Sequence, residues 1–160
     1  MPLDWKGSNA MVPLDLLRTS EVFDGLSDDE LAAIAKMSHQ QTFCAGDLVF
    51  DENDEAKNLY VIITGRVGIL IDIGRGRQTV VDTIIPDGSF GWSALVPPYF
   101  YTGAAKCLEP TQVLVVPGEE LRGLCLDNCR ICHIIMQRLA SIISARLKDT
   151  RIQLISLMYG

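Results

Sequence analysis

The chain has little of what catalytic and nucleic-acid-binding proteins usually display. It carries only two histidines, His39 and His133, and a lone His beside a structured segment is usually structural, so neither is assigned to catalysis. Glu119 and Glu120 are adjacent acids, but they stand where a helix begins, and such acids are ordinary caps. No residue is therefore assigned to catalysis, and the expectation is a protein that is not an enzyme. Basic residues are also few: 14 Lys and Arg against 20 Asp and Glu give a net charge of −6. That balance lacks the positive footprint needed to neutralise a run of phosphates, so direct nucleic-acid binding is not expected. From Glu119 onward, six basic residues face four acidic ones, so the acidic excess lies in the first two-thirds. No unbroken apolar run approaches the roughly 18–20 residues of a membrane helix. The opening Met-Pro-Leu-Asp-Trp-Lys lacks the basic-then-apolar pattern of a signal peptide. These absences imply a cytoplasmic chain without a membrane contact, whose five cysteines are reduced thiols.

What is present is organised around one loop, Pro86-Asp-Gly-Ser-Phe-Gly-Trp-Ser-Ala-Leu95, continuing to Ala104. Apolar alternation surrounds it and stops inside it. Two glycines three apart, Gly88 and Gly91, followed by Trp92, Ser93 and Ala94, allow a tight turn with several amide N–H groups converging. Such a turn can hold a phosphate or another anion.

At 160 residues, one core is expected. Residues 1–13 have little periodicity and read as a loose arm. Residues 14–128 read as the main domain and 129–160 as a long terminal helix. Leu14, Leu17, Val22 and Phe23 anchor short helical pieces. Ser27 with Glu30 three residues on is a capping box, and Leu31, Ile34, Ala35 and Met37 give the following helix its apolar face. From Gln40 the period changes to two. Segments around Phe43, 48–50, 59–63, 67–73, 78–85, 105–109 and 112–116 read as short strands separated by Gly- and Asp-rich turns. Cys44 and Cys107 read as strand-core residues. So many short, evenly spaced strands indicate a mainly β chain with flanking helices, an antiparallel barrel or jelly roll.

After Pro117 the period becomes helical again. Asp127-Asn128 breaks a short helix from a long one over about 129–156, which has no internal Gly or Pro. Ile131, Ile135, Leu139, Ile142 and Ile143 lie along one flank, and Leu147, Ile152 and Ile155 follow. A helix outreaching its own domain needs a second chain, so this flank reads as a homodimer seam. Cys125, Cys129 and Cys132 have the C-x3-C-x2-C spacing of an iron–sulfur site. On a helix the same three fall on one face that continues through Met136, Leu139 and Ile143, and small hydrophobes in a seam explain them without metal.

This order of short helices, about eight strands, a glycine-bounded loop and a long helix resembles the cyclic-nucleotide-binding domain. That is the sensor domain of catabolite-activator-type regulators, protein kinase A regulatory subunits and cyclic-nucleotide-gated channels. The matching residues are Phe23-Asp-Gly-Leu-Ser27, Gly46-Asp47, Leu59-Tyr-Val-Ile-Ile-Thr-Gly-Arg-Val67, Gly88-Ser-Phe-Gly91 and Glu109-Pro-Thr-Gln-Val-Leu114. The resemblance implies a phosphate-binding cassette over Gly88, Ser89, Phe90, Gly91, Trp92, Ser93, Ala94, Tyr101, Thr102 and Gly103. It also shows departures: Trp92 stands for the family's ribose-binding Glu, Ser89 for its first Glu, and Tyr101 for the Arg that neutralises the cyclic phosphate. A buried phosphate without its bidentate Arg loses a charge-assisted pair of about 2–5 kcal/mol. Ordinary cyclic AMP is therefore expected to bind poorly.

Two readings follow from the resemblance. In one, a small ligand, a nucleotide or another anion, binds the β-roll and signals through the terminal helix without any resident cofactor. In the other, the pocket is degenerate and the chain is a ligand-free dimerisation scaffold. After Ser156 only Leu-Met-Tyr-Gly remains, while a helix-turn-helix reader needs roughly 60 more residues. Output is accordingly expected through a protein partner, or through sequence beyond this stretch.

Overall fold

The computed structural model describes residues 12–160. The proposed loose arm lies outside these residues except for its end, where Val12 is buried and Pro13 precedes the first helix. Helix α1 (Leu14–Arg18) and a 3-10 turn (Glu21–Phe23) bury Leu17, Val22 and Phe23 as anchors. Helix α2 (Asp28–Met37) begins in the capping box that the sequence implies. The Ser27 hydroxyl accepts from the Glu30 amide at 3.2 Å, and the Glu30 carboxylate accepts from the Ser27 amide at 2.9 Å. Replacing Ser27 with Ala is expected to cost about 1 kcal/mol in urea unfolding, because the Glu30 amide in the first turn loses its acceptor.

Eight strands follow: β1 (His39–Phe43), β2 (Leu48–Phe50), β3 (Asn58–Thr64), β4 (Val67–Gly74), β5 (Arg77–Ile84), β6 (Ser89–Phe90), β7 (Ala104–Cys107) and β8 (Thr111–Pro117). They pair antiparallel in two four-stranded sheets, ordered β1-β8-β3-β6 and β2-β7-β4-β5, a jelly roll. The β4–β5 hairpin turns on Arg75 and Gly76, both at positive φ, the backbone that matches strand twist in a two-residue loop.

Alternation along β3 and β8 divides the interior into two layers. Leu59, Val61, Leu114 and Val116 point to the helices and join a core with Leu31, Ile34, Leu121 and Ile135. Tyr60, Ile62, Val113 and Val115 point between the sheets and meet Phe50, Phe90 and Tyr101. The first sheet is thus covered on both faces, so β3 and β8 are nearly continuous apolar runs. Gly65 closes the β3–β4 turn at φ +98°, where a Cβ would press on the Thr111 side chain and lie 2.6 Å from the Pro110 carbonyl oxygen.

Helix α3 (Gly118–Asp127) and helix α4 (Cys129–Tyr159) complete the chain. At 31 residues, α4 runs about 46 Å. Its burial corrects the sequence reading of the dimer seam. Ile131, Ile135, Leu139 and Ile142 are 5% exposed or less and belong to the chain's own core. Of the five, only Ile143 is exposed. The stripe was real, but apolar periodicity does not say whether the covering surface belongs to the same chain. Cys44 is also corrected: it lies exposed in the turn after β1, whereas Cys107 is fully buried.

Candidate functional site

The loop between β6 and β7 folds as the glycine spacing implies. Phe90 ends β6, and Gly91 takes a left-handed backbone (φ 78°, ψ 25°) that starts a 3-10 turn over Trp92–Ala94. A Cβ on Gly91 would lie 3.0 Å from the Asn58 carbonyl oxygen, so the residue also lets the loop approach β3 closely. Tyr101, Thr102 and Gly103 then lead into β7.

Seven of the ten residues assigned to the cassette meet around one cavity: Phe90, Gly91, Trp92, Ser93, Tyr101, Thr102 and Gly103. Gly88, Ser89 and Ala94 do not line it. Ser89 pairs with Val61, whose side chain belongs to the helix-side core, and directly opposed residues share a face. The Ser89 hydroxyl is therefore turned toward the helices.

The cavity is only about 40 Å³. Binding pockets for drug-sized molecules are typically ~300–1,000 Å³. Its space is taken up by rings. Tyr101, 4% exposed, stacks on Phe50 with centroids 3.6 Å apart and an interplanar angle of 10°. Phe90 stacks on Tyr60 at 5.0 Å, and Phe50 lies 5.9 Å from Tyr60. The Tyr101 hydroxyl is tied down as well. It donates to the Asn58 carbonyl at 2.7 Å and accepts from the Asn58 amide at 3.2 Å. Burial pushes the Tyr101 phenol far above its ordinary pKa, so it stays neutral and supplies no charge to oppose or attract an anion.

None of the residues lining this cavity is charged. A wider cleft of about 320 Å³ adjoins it across Phe50 and Tyr101 and carries Asp54 and Glu55 with Lys57, and another of about 410 Å³ carries Glu21, Asp82, Asp87 and Asp149 with Arg146. A cyclic nucleotide brings a sugar, a base and a phosphate monoanion. This arrangement offers it neither the volume nor a guanidinium inside the roll.

Two arginines serve the loop from its outer side, and local sequence reasoning missed both. Arg122 of α3 donates to the Ala94 carbonyl at 2.6 Å and lies over the Tyr99 ring at 4.1 Å. Arg146 of α4 donates to the Ser89 carbonyl at 2.6 Å, lies over the Trp92 ring at 4.5 Å, and pairs with Asp82 at 3.4 Å. Burial pulls the Arg146 guanidinium below its ordinary pKa, while Asp82 and Glu21 act to hold the charge. Its Nη1 is buried without a hydrogen-bond partner, as is the Ser89 hydroxyl. One signal was available: Arg146 stands four residues beyond Ile142 on the buried stripe, where a charge is out of place.

The three cysteines lie at the joint of α3 and α4. Cys125 is buried, Cys132 is half-buried and Cys129 is exposed. Among the described residues, no group of three or more His, Cys, Asp or Glu side chains is placed to hold a metal ion. No helix among them is long and apolar enough to cross a membrane.

Comparison with known proteins agrees with this architecture. The sequence pattern of the cyclic nucleotide-binding domain matches residues 40–128, more than half of the chain. A solved structure from Geobacter metallireducens GS-15, described as a cyclic nucleotide-binding protein, is 31% identical with a TM-score of 0.78, covering 86% of this chain and 99% of that one. A cyclic nucleotide-binding domain from Methylobacillus flagellatus KT shares the fold at a TM-score of 0.77 and 16% identity, covering 89% of this chain and 80% of its own. The CRP-like cAMP-activated global transcriptional regulator of Mycobacterium tuberculosis is 25% identical over 145 residues, 91% of this chain but 63% of the regulator. By pattern, fold and identity together, the chain belongs to the cyclic nucleotide-binding domain family.

Proposed function

We propose that this chain is a non-enzymatic regulatory module of that family whose β-roll takes no cyclic nucleotide, and whose terminal helix is held to the cassette by its own Arg146. The observation that carries the reading is the Tyr101–Phe50 stack, which occupies the space beside the cassette and leaves about 40 Å³. In this reading a guanidinium from α4 links helix to cassette directly. The expected outcome of a thermal-shift and calorimetry series with cyclic AMP and cyclic GMP is no shift and no heat at millimolar ligand. A saturable shift with a micromolar midpoint would overturn it.

A second reading keeps a ligand in the roll. The backbone turn at Gly91 and the Ser93 and Thr102 side chains around the remaining cavity favour it. The occupant would be much smaller than a nucleotide, and the same experiment run with inorganic anions separates the two readings.

Signalling in either case leaves through α4. Beyond Ile142 every residue of that helix is exposed except the half-buried Arg146, and Leu147, Ile155 and Leu157 are 49%, 56% and 84% exposed. A helical segment without a covering surface is marginal in water. The proposal assigns this distal half, with Ile143, to a homodimer in the cytoplasm, from which a protein partner takes the output. Light scattering should give a dimer mass for the native chain. The pair Leu147→Glu and Ile155→Glu should give a monomer with an intact β-roll, and an unchanged dimer would sink the assignment.

A further inference from the structure

Helices α3 and α4 meet at a single residue. Asn128 caps both: its amide donates to the Leu124 carbonyl at 3.0 Å to end α3, and its side chain accepts from the Arg130 and Ile131 amides to start α4. Its backbone is extended, with φ −136° and ψ 98°, so α4 leaves α3 at an elbow. Three residues before the elbow stands Cys125, and four after it Cys132. The two side chains are neighbours across the joint, and both pack on the helix-side core. Burial and the neighbouring thiol push Cys125 up to about 11, so it rests protonated, while Cys132 is the more accessible of the two.

We propose that Cys125 and Cys132 form an oxidisable clasp across the elbow, in which a peroxide-class oxidant closes a disulfide that fixes the direction of α4. The step balances. The Cys132 thiolate attacks one peroxide oxygen, the O–O bond breaks, and Cys132 becomes a sulfenic acid; the departing hydroxide takes up the proton that the Cys132 thiol had released and leaves as one water. The Cys125 sulfur then attacks the Cys132 sulfur, displacing hydroxide, which leaves as a second water with the Cys125 proton. Two thiols lose two electrons and the peroxide is reduced to two waters. A thiol reductant reverses it. The shared packing of the two side chains at the joint is what favours a disulfide over deeper oxidation, because the resolving thiol is held beside the attacked sulfur. The closed ring straddles Asn128, the one residue at which the two helices can change their mutual angle.

The test uses the full chain, reduced, freed of reductant and exposed to hydrogen peroxide. The expected product is an intrachain disulfide, a loss of two hydrogens per chain by intact mass, with two fewer titratable thiols than the original five. Tryptic cleavage leaves Cys125 and Cys129 in one peptide and Cys132 in the next, so variants must assign the bond. Cys129→Ser should keep the disulfide, whereas Cys125→Ala and Cys132→Ala should each lose it, with circular dichroism confirming that all three are folded. Cys132 is half-buried, so its variant serves if Cys125→Ala does not fold. Amide exchange across residues 126–130 should slow about tenfold on oxidation. A disulfide retained in Cys125→Ala, one lost in Cys129→Ser, one formed between chains, or none at all overturns the proposal.

Discussion

Replacing Tyr101 with alanine is expected to destabilise the fold by about 4 kcal/mol, the usual range for emptying an aromatic site in a packed core. Tyr101 contributes more than ring area. It faces Phe50 at 3.6 Å, and its hydroxyl both donates to and accepts from the Asn58 backbone. Tyr101→Phe isolates the second part. It keeps the ring and leaves an amide and a carbonyl of β3 without their partner, at about 1–2 kcal/mol. The difference between the two variants therefore measures the packing term. Urea unfolding monitored by circular dichroism gives both values. The alanine variant carries a second expectation: the new cavity, walled by Phe50, Tyr60 and Phe90, should take up phenol and regain part of its thermal stability, as dry apolar cavities take up small aromatics. If Tyr101→Ala costs less than about 1 kcal/mol, the ring is not a structural plug, and the reading of the β-roll as filled falls with it.

The second large effect is expected at Arg146. Arg146→Ala removes a charge-assisted hydrogen bond to the Ser89 carbonyl, a cation–π contact with Trp92 and an ion pair with Asp82. The first is worth about 1.5–3 kcal/mol and the second about 0.5–2. Against them stands the cost of keeping the guanidinium out of water, with Nη1 unpartnered. A net loss of about 2 kcal/mol is expected. Arg146→Met is the more telling variant, because its stem still packs on Trp92 while the charge is gone; its stability should stay within about 1 kcal/mol of the parent. Both variants should nevertheless lose amide-exchange protection in residues 89–95, because the cassette no longer has its tie to α4. A loop that stays protected in both would show that β6 and the Arg122 contact with Ala94 hold it unaided.

A good part of the molecule was legible in the order of its residues. The Ser27–Glu30 box, the strands on either side of Thr64-Gly-Arg66, the break at Asn128 and the left-handed turn at Gly91 are local, each decided by a few neighbours. The tight turn between β6 and β7 could be read for the same reason. The contents of the roll could not. Tyr101 meets Asn58 from 43 residues away, and Arg146 reaches Ser89 from 57. The resemblance put Trp92 and Tyr101 where the family's Glu and Arg stand, without saying which of them fills the roll. In the fold, Tyr101 fills the interior and Trp92 is the platform for a helix-borne cation.

The α4 stripe marks the same boundary. Periodicity established that Ile131, Ile135, Leu139 and Ile142 share a face, but not which surface covers it, because the hydrophobic effect rewards removal from water irrespective of the chain that provides it. By itself the sequence determined a mainly β chain with capped helices, a glycine-bounded loop and a long final helix. Only the tertiary structure decided that aromatic rings narrow the cavity in the roll, that four seam residues are core, and that Cys125 and Cys132 pack on one core. Local propensities act over a few residues, whereas cavities, buried stripes and thiol pairs are made by segments that meet only after the chain has closed on itself.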